Sequence, residues 1–393
     1  MLQNAPLEVY LLMLPHKGCE DMQPIDPTMY ALLGLVLLFV PVTGVLVAAT
    51  PYLMPKRECF AVTIPDAASS DSGIKHLKRS FTSIMSVATL VFTALCGACI
   101  LVDPEHTFLV ALVISELVLC FGGYGLMLYF RRKTIALKQA RGWKAQSAKR
   151  VGFVAEEPVP RPISQKWDLL FLIPIAITGL ICIVGYPLMP ERIATNIDLV
   201  GQVSNWVEKT PLTAAFPFLT VVFLDACFVF SHWSILRSKK GIDAARPAAS
   251  AWAYGVFARV QSIMLVGLGT MLSFLGPIIA LSFIGVITMI QAMLPILVML
   301  VVVLVAVMAV TMIYGQNGAR LLRRMEEPET MPVDDDRYWK LGIFYWNRDD
   351  ASLFVPERFG VGWTMNLGRP ATWAIIIGFA LIIAAFVVFS LCM

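Results

Sequence analysis

The sequence predicts an all-α integral membrane protein, an eight-helix transmembrane bundle with a small cytoplasmic β-rich module before the last helix. Three observations predict it. Of 393 residues, 58% are hydrophobic and only 15% charged, whereas soluble domains carry about a quarter charged residues. Eight stretches reach the ~20 apolar residues that a helix needs to cross a hydrocarbon core. Between the last two of them lies a polar, aromatic, turn-rich block, "YWKLGIFYWNRDDASLFVPERFGVGWTMN", from Tyr338 to Asn366.

The apolar stretches are Tyr30–Thr50, Thr82–Val102, Phe108–Tyr129, Leu169–Leu188, Leu212–Leu236, Phe257–Leu281, Ile287–Ile313 and Ala371–Met393. Only Ser282 to Val286 separates the sixth from the seventh. One unbroken helix there would exceed any bilayer, so a tight hairpin is expected. Residues 1–29 lack the charged start of a signal peptide and are assigned outside the membrane. Within them Leu7–Leu14 is apolar but too short to span, which suits an interfacial or core-capping segment.

Orientation follows from Lys and Arg. With residues 51–81 placed in the cytoplasm and the sides alternating, all but Lys17, Arg192 and Lys209 of the 31 basic residues fall inside. The positive-inside rule then puts both termini outside. The net charge of +4 reflects basic loops against an anionic leaflet and carries no nucleic-acid signature. The domains expected are 30–188 (four helices with basic loops), 189–211 (an extracytoplasmic loop), 212–315 (three helices), 316–370 (the cytoplasmic module) and 371–393 (the last helix).

Eight cysteines (19, 59, 96, 99, 120, 182, 227 and 392) lie mostly within spans and form no disulfide framework. Cys96-Gly97-Ala98-Cys99 has metal or redox spacing, but small residues in mid-membrane ordinarily serve close helix packing.

Four segments outside the spans have content. In "FAVTIPDAASSDSGIKHLKRSF" (60–81), Phe60, Val62 and Ile64 alternate before Pro65 as in a short edge strand, and Asp71 or Ser72 caps a basic helix. Ten basic residues fall between Arg131 and Lys166. They suit either a solvated extension of the third span or a lipid-sensing surface with Ile135, Leu137 and Trp143. The third segment is "PERIATNIDLVGQVSNWVEKT" (190–210). In the fourth, Trp339 to Trp346 suits a strand, Asn347–Asp350 a turn, and Leu353–Val355 and Trp363–Met365 two further strands around Gly360 and Gly362. So few residues cannot hold a core alone, so the block should pack on Phe60–Ile64 or the membrane face. Its Trp339, Trp346, Trp363 and Trp373 suit the headgroup layer. "PYLMPKR" (51–57) echoes "YPLMPER" (186–192) on the opposite face, which is compatible with an inverted repeat and equally with chance.

"LMPERIATNIDLVGQVSNWVEKT" resembles the extracellular signature of the membrane family called domain of unknown function 1648. Pro190, Ile193, Gly201, Trp206 and Lys209 match it; Asn196, Asp198 and Ser204 stand where the family usually has His, Asn and Asp. "FVPERFGVGWTMN" (354–366), with Phe354, Pro356, Gly362, Trp363 and Asn366, resembles a second module, domain of unknown function 5808. The first family includes SdpI-type proteins of Gram-positive bacteria, which confer immunity to a secreted toxic peptide and take part in signalling. The resemblance implies a receptor-like role for the outer loop. The missing His and Asp weigh against metal or acid–base chemistry there.

Ionisable groups inside a bilayer cost roughly 2.5–3.5 kcal/mol each on insertion scales and need a reason. Glu116 lies about 12 Å from the outer end of its span and Asp225 about 20 Å into its own. His232 shares a helix face with Asp225, and Arg259 enters the next span from the cytoplasmic side. These residues suit either a proton or solute path or a structural Asp225–Arg259 pair beside a protonated Glu116. Both carboxyls should face the bundle interior.

No zinc-protease, nucleophile-elbow or phosphate-loop motif occurs, and four scattered histidines make no His-rich site; neither cofactor nor metal is expected, and no catalysis. The leading expectation is a non-enzymatic receptor, immunity or signalling protein. In it Pro190 and Gly201 would shape the outer loop, while Asn196, Asp198, Asn205, Trp206 and Lys209 would meet a secreted peptide. A cytoplasmic regulator would meet the inner face. The alternatives are a proton-coupled transporter using Glu116 and Asp225, and an assembly factor with no ligand beyond the lipid bilayer. The orientation is checked with single cysteines and an impermeant maleimide on intact cells. Position 205 should label and position 340 should not until the membrane is opened; the reverse pattern would invert the topology.

Overall fold

The computed structural model describes residues 27–104, 106–144, 159–197, 203–242, 246–322 and 334–391; Leu7–Leu14 lies outside them. Among the described residues, eight helices are long and apolar enough to cross a membrane. They are α1 (Tyr30–Leu53), α2 (Ser72–Val102), α3 (Thr107–Ala140), α4 (Gln165–Leu188), α5 (Pro211–Arg237), α6 (Pro247–Ile284), α7 (Met289–Leu322) and α8 (Pro370–Val388). Each coincides with an apolar stretch read from the sequence, although α7 begins two residues after its stretch and α8 ends at Val388, before the end of its own. The third runs on through the first basic residues to Ala140, as an extension of that span would. The turn between α6 and α7 forms where expected. Gly285 takes the left-handed φ of 82°, and Thr288 and Gln291 cap α7 reciprocally.

The helices pack as two triads. α1, α2 and α3 touch one another, as do α4, α5 and α6, while α7 leans on α1 and α6. α8 rests on α5 through ring stacking: Phe216 and Phe223 meet Phe386, and Phe230 meets Phe379. These α5 rings are seven residues apart and so share one face. Outward-facing Leu90, Val91, Ile183 and Leu381 form the apolar exterior that a bilayer would cover.

At the basic end, Glu58–Cys59 (β1) and Val62–Thr63 (β2) form a hairpin. This corrects the edge strand expected from Phe60, Val62 and Ile64. Phe60 and Ala61 instead make the turn, with φ of 46° and 57°. Left-handed backbone costs such residues about 1–2 kcal/mol each. Full burial of the Phe60 ring, 5.3 Å from both Phe81 and Phe130, recovers an amount of the same order. Arg131 also donates to the Ala61 carbonyl. Asp71 then caps α2, accepting from Gly73 N at 2.7 Å.

The block before α8 is two hairpins rather than three strands. Trp339–Lys340 (β5) pairs with Phe344–Tyr345 (β6), and Phe354–Pro356 (β7) with Trp363–Met365 (β8). The single strand expected over Trp339–Trp346 folds back at Leu341–Gly342, where φ is 51° and 80°. Tyr124 holds this turn by donating to the Leu341 carbonyl at 3.1 Å. Asn366 is wholly buried and ties the hairpins together. Its amide donates to the carbonyls of Asn347, Asp350 and Ser352 and accepts from the N–H groups of Asn347 and Gly368.

The module packs on the first hairpin, as its size requires. Arg358, 4% exposed, pairs with Asp335 and Asp336 and donates to Ala61 O and Thr63 Oγ1. Asp336 also accepts from Thr63 N at 3.0 Å and from Lys138 Nζ at 2.7 Å. On the far flank Lys239 donates from N to Phe354 O and from Nζ to Asp350, at 2.9 and 2.5 Å. Two tryptophans leave the headgroup layer assigned to them. Trp339 is buried between Tyr345 and Arg358, and Trp363 packs on Phe257 and donates to the Tyr254 hydroxyl. Each gains more from core packing than from a wet N–H. Trp346 and Trp373 remain exposed.

Burial acts to raise the Asp336 carboxyl, but Arg358 and Lys138 outweigh it and hold the pKa at about 2 against an ordinary 3.8. Asp350 is likewise raised by burial and lowered further by Lys239 and Ser352, to about 2. Both folded values lie below the unfolded one, so their contribution is complete above about pH 4 and is lost as pH falls toward 2. Protection of residues 334–366 from hydrogen exchange in lipid nanodiscs, relative to the intrinsic rate at each pH, should therefore fall across that window. Arg358→Ala should produce the same loss of protection at neutral pH, since removing one partner of a buried pair costs about 3–5 kcal/mol. Unchanged protection in both experiments would mean that this network does not hold the module.

Candidate functional site

The candidate site is organised along α5, which joins an exposed hairpin at one end of the bundle to the module at the other. Arg192–Ile197 (β3) and Val203–Glu208 (β4) pair with Ala194 opposite Trp206 and Asn196 opposite Asn205, and the register shifts on both sides of Asn196. Ile193 anchors the hairpin, buried with Met189, Ala214 and Phe283. Thr210 and Thr213 cap α5 reciprocally and Pro211 opens it, so strand passes into helix without a flexible joint. Ser204, Asn205 and Trp206 are exposed, Trp206 at 54%.

Among the loop residues expected to meet a partner, Asn205 and Trp206 are therefore displayed, and Pro190 is exposed just before β3. Asp198 and Gly201 lie outside the described residues. Lys209 is not a free recognition charge. Its Nζ donates to Met189 O at 2.8 Å and sits 5.0 Å over the Tyr186 ring, while its N–H donates to Glu191 O. It fastens the foot of the hairpin because those carbonyls at the end of α4 would otherwise lack donors.

Deeper along α5, Asp225 and His232 are both buried and face the interior, as expected. The Asp225–Arg259 pair does not form. Arg259 is exposed, and Asp225 Oδ1 accepts from Ser273 of α6, with Oδ2 unpartnered. The expectation failed because Arg259 lies 14 residues, about 21 Å, from Ser273 along α6. His232 turns instead to a residue the sequence did not single out. Its Nδ1 lies 2.7 Å from Asp168 Oδ1, and its Nε2 lies 3.2 Å from the Ile163 carbonyl. A carbonyl can only accept, so Nε2 donates there. Ser262 accepts from Ile163 N at 3.0 Å. These contacts clamp the segment entering α4 onto α5 and α6.

Glu116 belongs to the other triad. It is half-buried beside Thr43 of α1, with Oε1 unpartnered. The next turn of α3, Val118–Gly122, widens to a π-helix, a distortion common at functional sites. Cys96 is buried against Ser115 at 3.3 Å, a packing contact between α2 and α3.

Multiple apolar helices carrying a displayed hairpin and a docked β module define a multi-pass membrane protein. More particularly, residues 173–221 match a domain of unknown function (DUF1648), the SdpI-like family, and residues 348–373 match a family of unknown function (DUF5808). Both are the resemblances drawn from the sequence. No curated protein and no solved structure matches the chain. The first match covers most of α4, the β3–β4 hairpin and the start of α5; the second covers the module from Arg348 to the start of α8. α5 is the element that joins them.

His232→Ala should lower thermal stability by about 2–3 kcal/mol, since it strips partners from Asp168 and Ile163 O. Arg259→Ala should change it by less than about 0.5 kcal/mol, as expected of an exposed site. Equal losses would restore a structural role to Arg259.

Proposed function

We propose that this protein is a non-enzymatic membrane receptor of the immunity or signalling kind. It lies in a bacterial plasma membrane with both termini outside. The β3–β4 hairpin meets a secreted peptide there, and the module meets a cytoplasmic regulator. The observation that carries this proposal is the continuity of α5. Its first turn is capped onto the hairpin, and just past its last turn Ser238 bridges to Phe354 while Lys239 binds Asp350 of the module. A 27-residue helix, continuous although Pro217 lies within it, is about 40 Å long, so hairpin and module are joined by a single element. The distribution of Lys and Arg supports the orientation.

Exposed Trp206 is the anchor of the kind that dominates interfaces. In cells challenged with a cognate secreted peptide, Trp206→Ala should lose about tenfold in protection at unchanged membrane level, the effect of ~1.4 kcal/mol. Full protection by this variant would remove the hairpin from the recognition surface. A transporter using Glu116 and Asp225 as one path is less well supported, because those carboxyls sit in different triads.

A further inference from the structure

We infer that α1–α3 and α4–α6 are two copies of one unit inserted in opposite directions, and that each copy holds a proton on a membrane-buried carboxyl, Glu116 in the first and Asp225 in the second.

The repeat begins in the sequence. Residues 30–57 align without a gap on residues 165–192, every pair 135 positions apart, and eight of these 28 positions are identical. Three are leucines, which any pair of spans would share. The other five are less easily shared: Thr43 and Thr178, Gly44 and Gly179, Met54 and Met189, Pro55 and Pro190, Arg57 and Arg192.

The matched residues do the same work in space. α1 and α4 have 24 residues each. A Cβ at Gly44 would collide with Thr89 of α2, and one at Gly179 would lie 3.3 Å from Phe218 of α5. Each glycine thus sets the approach of the first helix to the second. Met54 and Met189 are buried where each first helix ends. Each helix is followed at once by a two-stranded hairpin, then by a second helix with a side-chain cap, Asp71 or Thr210. The hairpins close with matching backbone bonds, Ile64 N to Arg57 O at 2.7 Å and Lys209 N to Glu191 O at 2.8 Å. A unit of three spans places its successor upside down, which is why the two hairpins emerge at opposite ends. This is the inverted topology on which many ion-coupled membrane proteins are built.

Each copy places its shared threonine near a buried carboxyl. Thr43 meets Glu116. Thr178 packs against Gly276 together with Val221, one turn before Asp225, and Ser273 of the same α6 region donates to Asp225. Near this point the chain has Pro277, whose missing N–H frees the Ser273 carbonyl. Glu116 Oε1 and Asp225 Oδ2 are both buried without a partner.

Among the described residues no cation faces either group. Around Asp225, α5 contributes His232, two turns away and engaged by Asp168 of α4; α6 contributes Arg259, which is exposed; α8 contributes phenyl rings. Around Glu116, the nearest titratable group on α3 is Cys120; α1 offers Thr43, and the Lys75, Lys78 and Arg79 side chains of α2 belong to its opposite end. A bare carboxylate at such depth is costly, and a proton removes the charge. A metal cation fits less well, since the oxygens at Asp225 are its own carboxylate, Ser273 Oγ and Gly269 O, short of the six or so that hard cations gather.

The test is infrared difference spectroscopy on the full chain in lipid nanodiscs, with carboxyl-labelled Asp and Glu, between about pH 5 and pH 9. Glu58 and Glu357, which burial raises outside the spans, are first replaced by Gln, and in that parent two protonated-carboxyl bands should appear. Glu116→Gln should abolish the Glu band alone and Asp225→Asn the Asp band alone, while Asp225→Glu should move the second into the Glu set. Trp206→Ala should alter neither band, so a failure of peptide recognition is distinguishable from a failure here. Absence of protonated bands in the parent protein across that range would overturn the inference. So would bands that persist in both the Gln and Asn variants.

Discussion

Hydrocarbon offers no hydrogen bonds, and most of this structure answers that constraint. Hydroxyls within the spans turn back on their own helices: Thr50 to Leu46 O, Thr89 to Met85 O, Thr178 to Pro174 O, Thr220 to Phe216 O and Thr270 to Val266 O. Such groups cost little where they stand. Groups that cannot satisfy themselves locally decide how helices meet. His232 brings Asp168 and Ile163 onto α5, and Asp225 brings Ser273 of α6 to the same helix. The second triad is thus organised around α5 by polar contacts and sealed by apolar ones. α8, whose contacts with α5 are stacked rings, depends on packing and on the module that precedes it.

The same constraint explains the basic end. Short hairpins there carry backbone groups that neither sheet nor helix satisfies. Arg131 supplies donors to Ala61 O and Trp339 O, and Arg358 reaches Ala61 O and Thr63 Oγ1. Guanidinium groups suit this work because one planar fork serves several acceptors at once. Asp335 and Asp336 then balance Arg358, so a charge network adds to the small core of Trp339, Tyr345 and Val355, which is too little to hold the module alone. Association with the first hairpin and folding of the module are therefore one event.

The spans, the tight turn before α7 and the existence of a docked module were legible because hydropathy, loop length and composition are local signals. The turns at Phe60–Ala61 and Leu341–Gly342 were not. A left-handed phenylalanine, alanine or leucine has no local signature, and these are held from α3 by Arg131 and Tyr124. Partner choice was also hidden. Asp225 pairs with a residue 48 positions away and His232 with one 64 positions away, and sequence spacing says nothing about which helices will be neighbours. Arg358 stood in plain view within "FVPERFG", but its burial could be seen only once Thr63 and Asp336 lay beside it. Lys209 illustrates the reverse error: a residue matching an outer-loop signature turned out to bind its own chain.

The inverted relation between the triads bears on recognition as well as on protons. The two hairpins occupy corresponding places, yet they differ in cover. β1–β2 has a partner, the module, which inserts Arg358 and Asp336 against its turn and leaves Cys59, Phe60, Ala61 and Val62 inaccessible. β3–β4 has no comparable cover among the described residues, and Ser204, Asn205 and Trp206 stand open. A two-stranded hairpin is marginal in water unless something packs on it. The first copy shows what a hairpin at this position accepts: a small β-rich segment presenting charge and backbone together. The second offers the same kind of platform to the opposite side of the membrane, with Trp206 as its exposed anchor. Under the proposed duplication, partnering of only one copy accounts for one hairpin that is covered and structural and one that stands open.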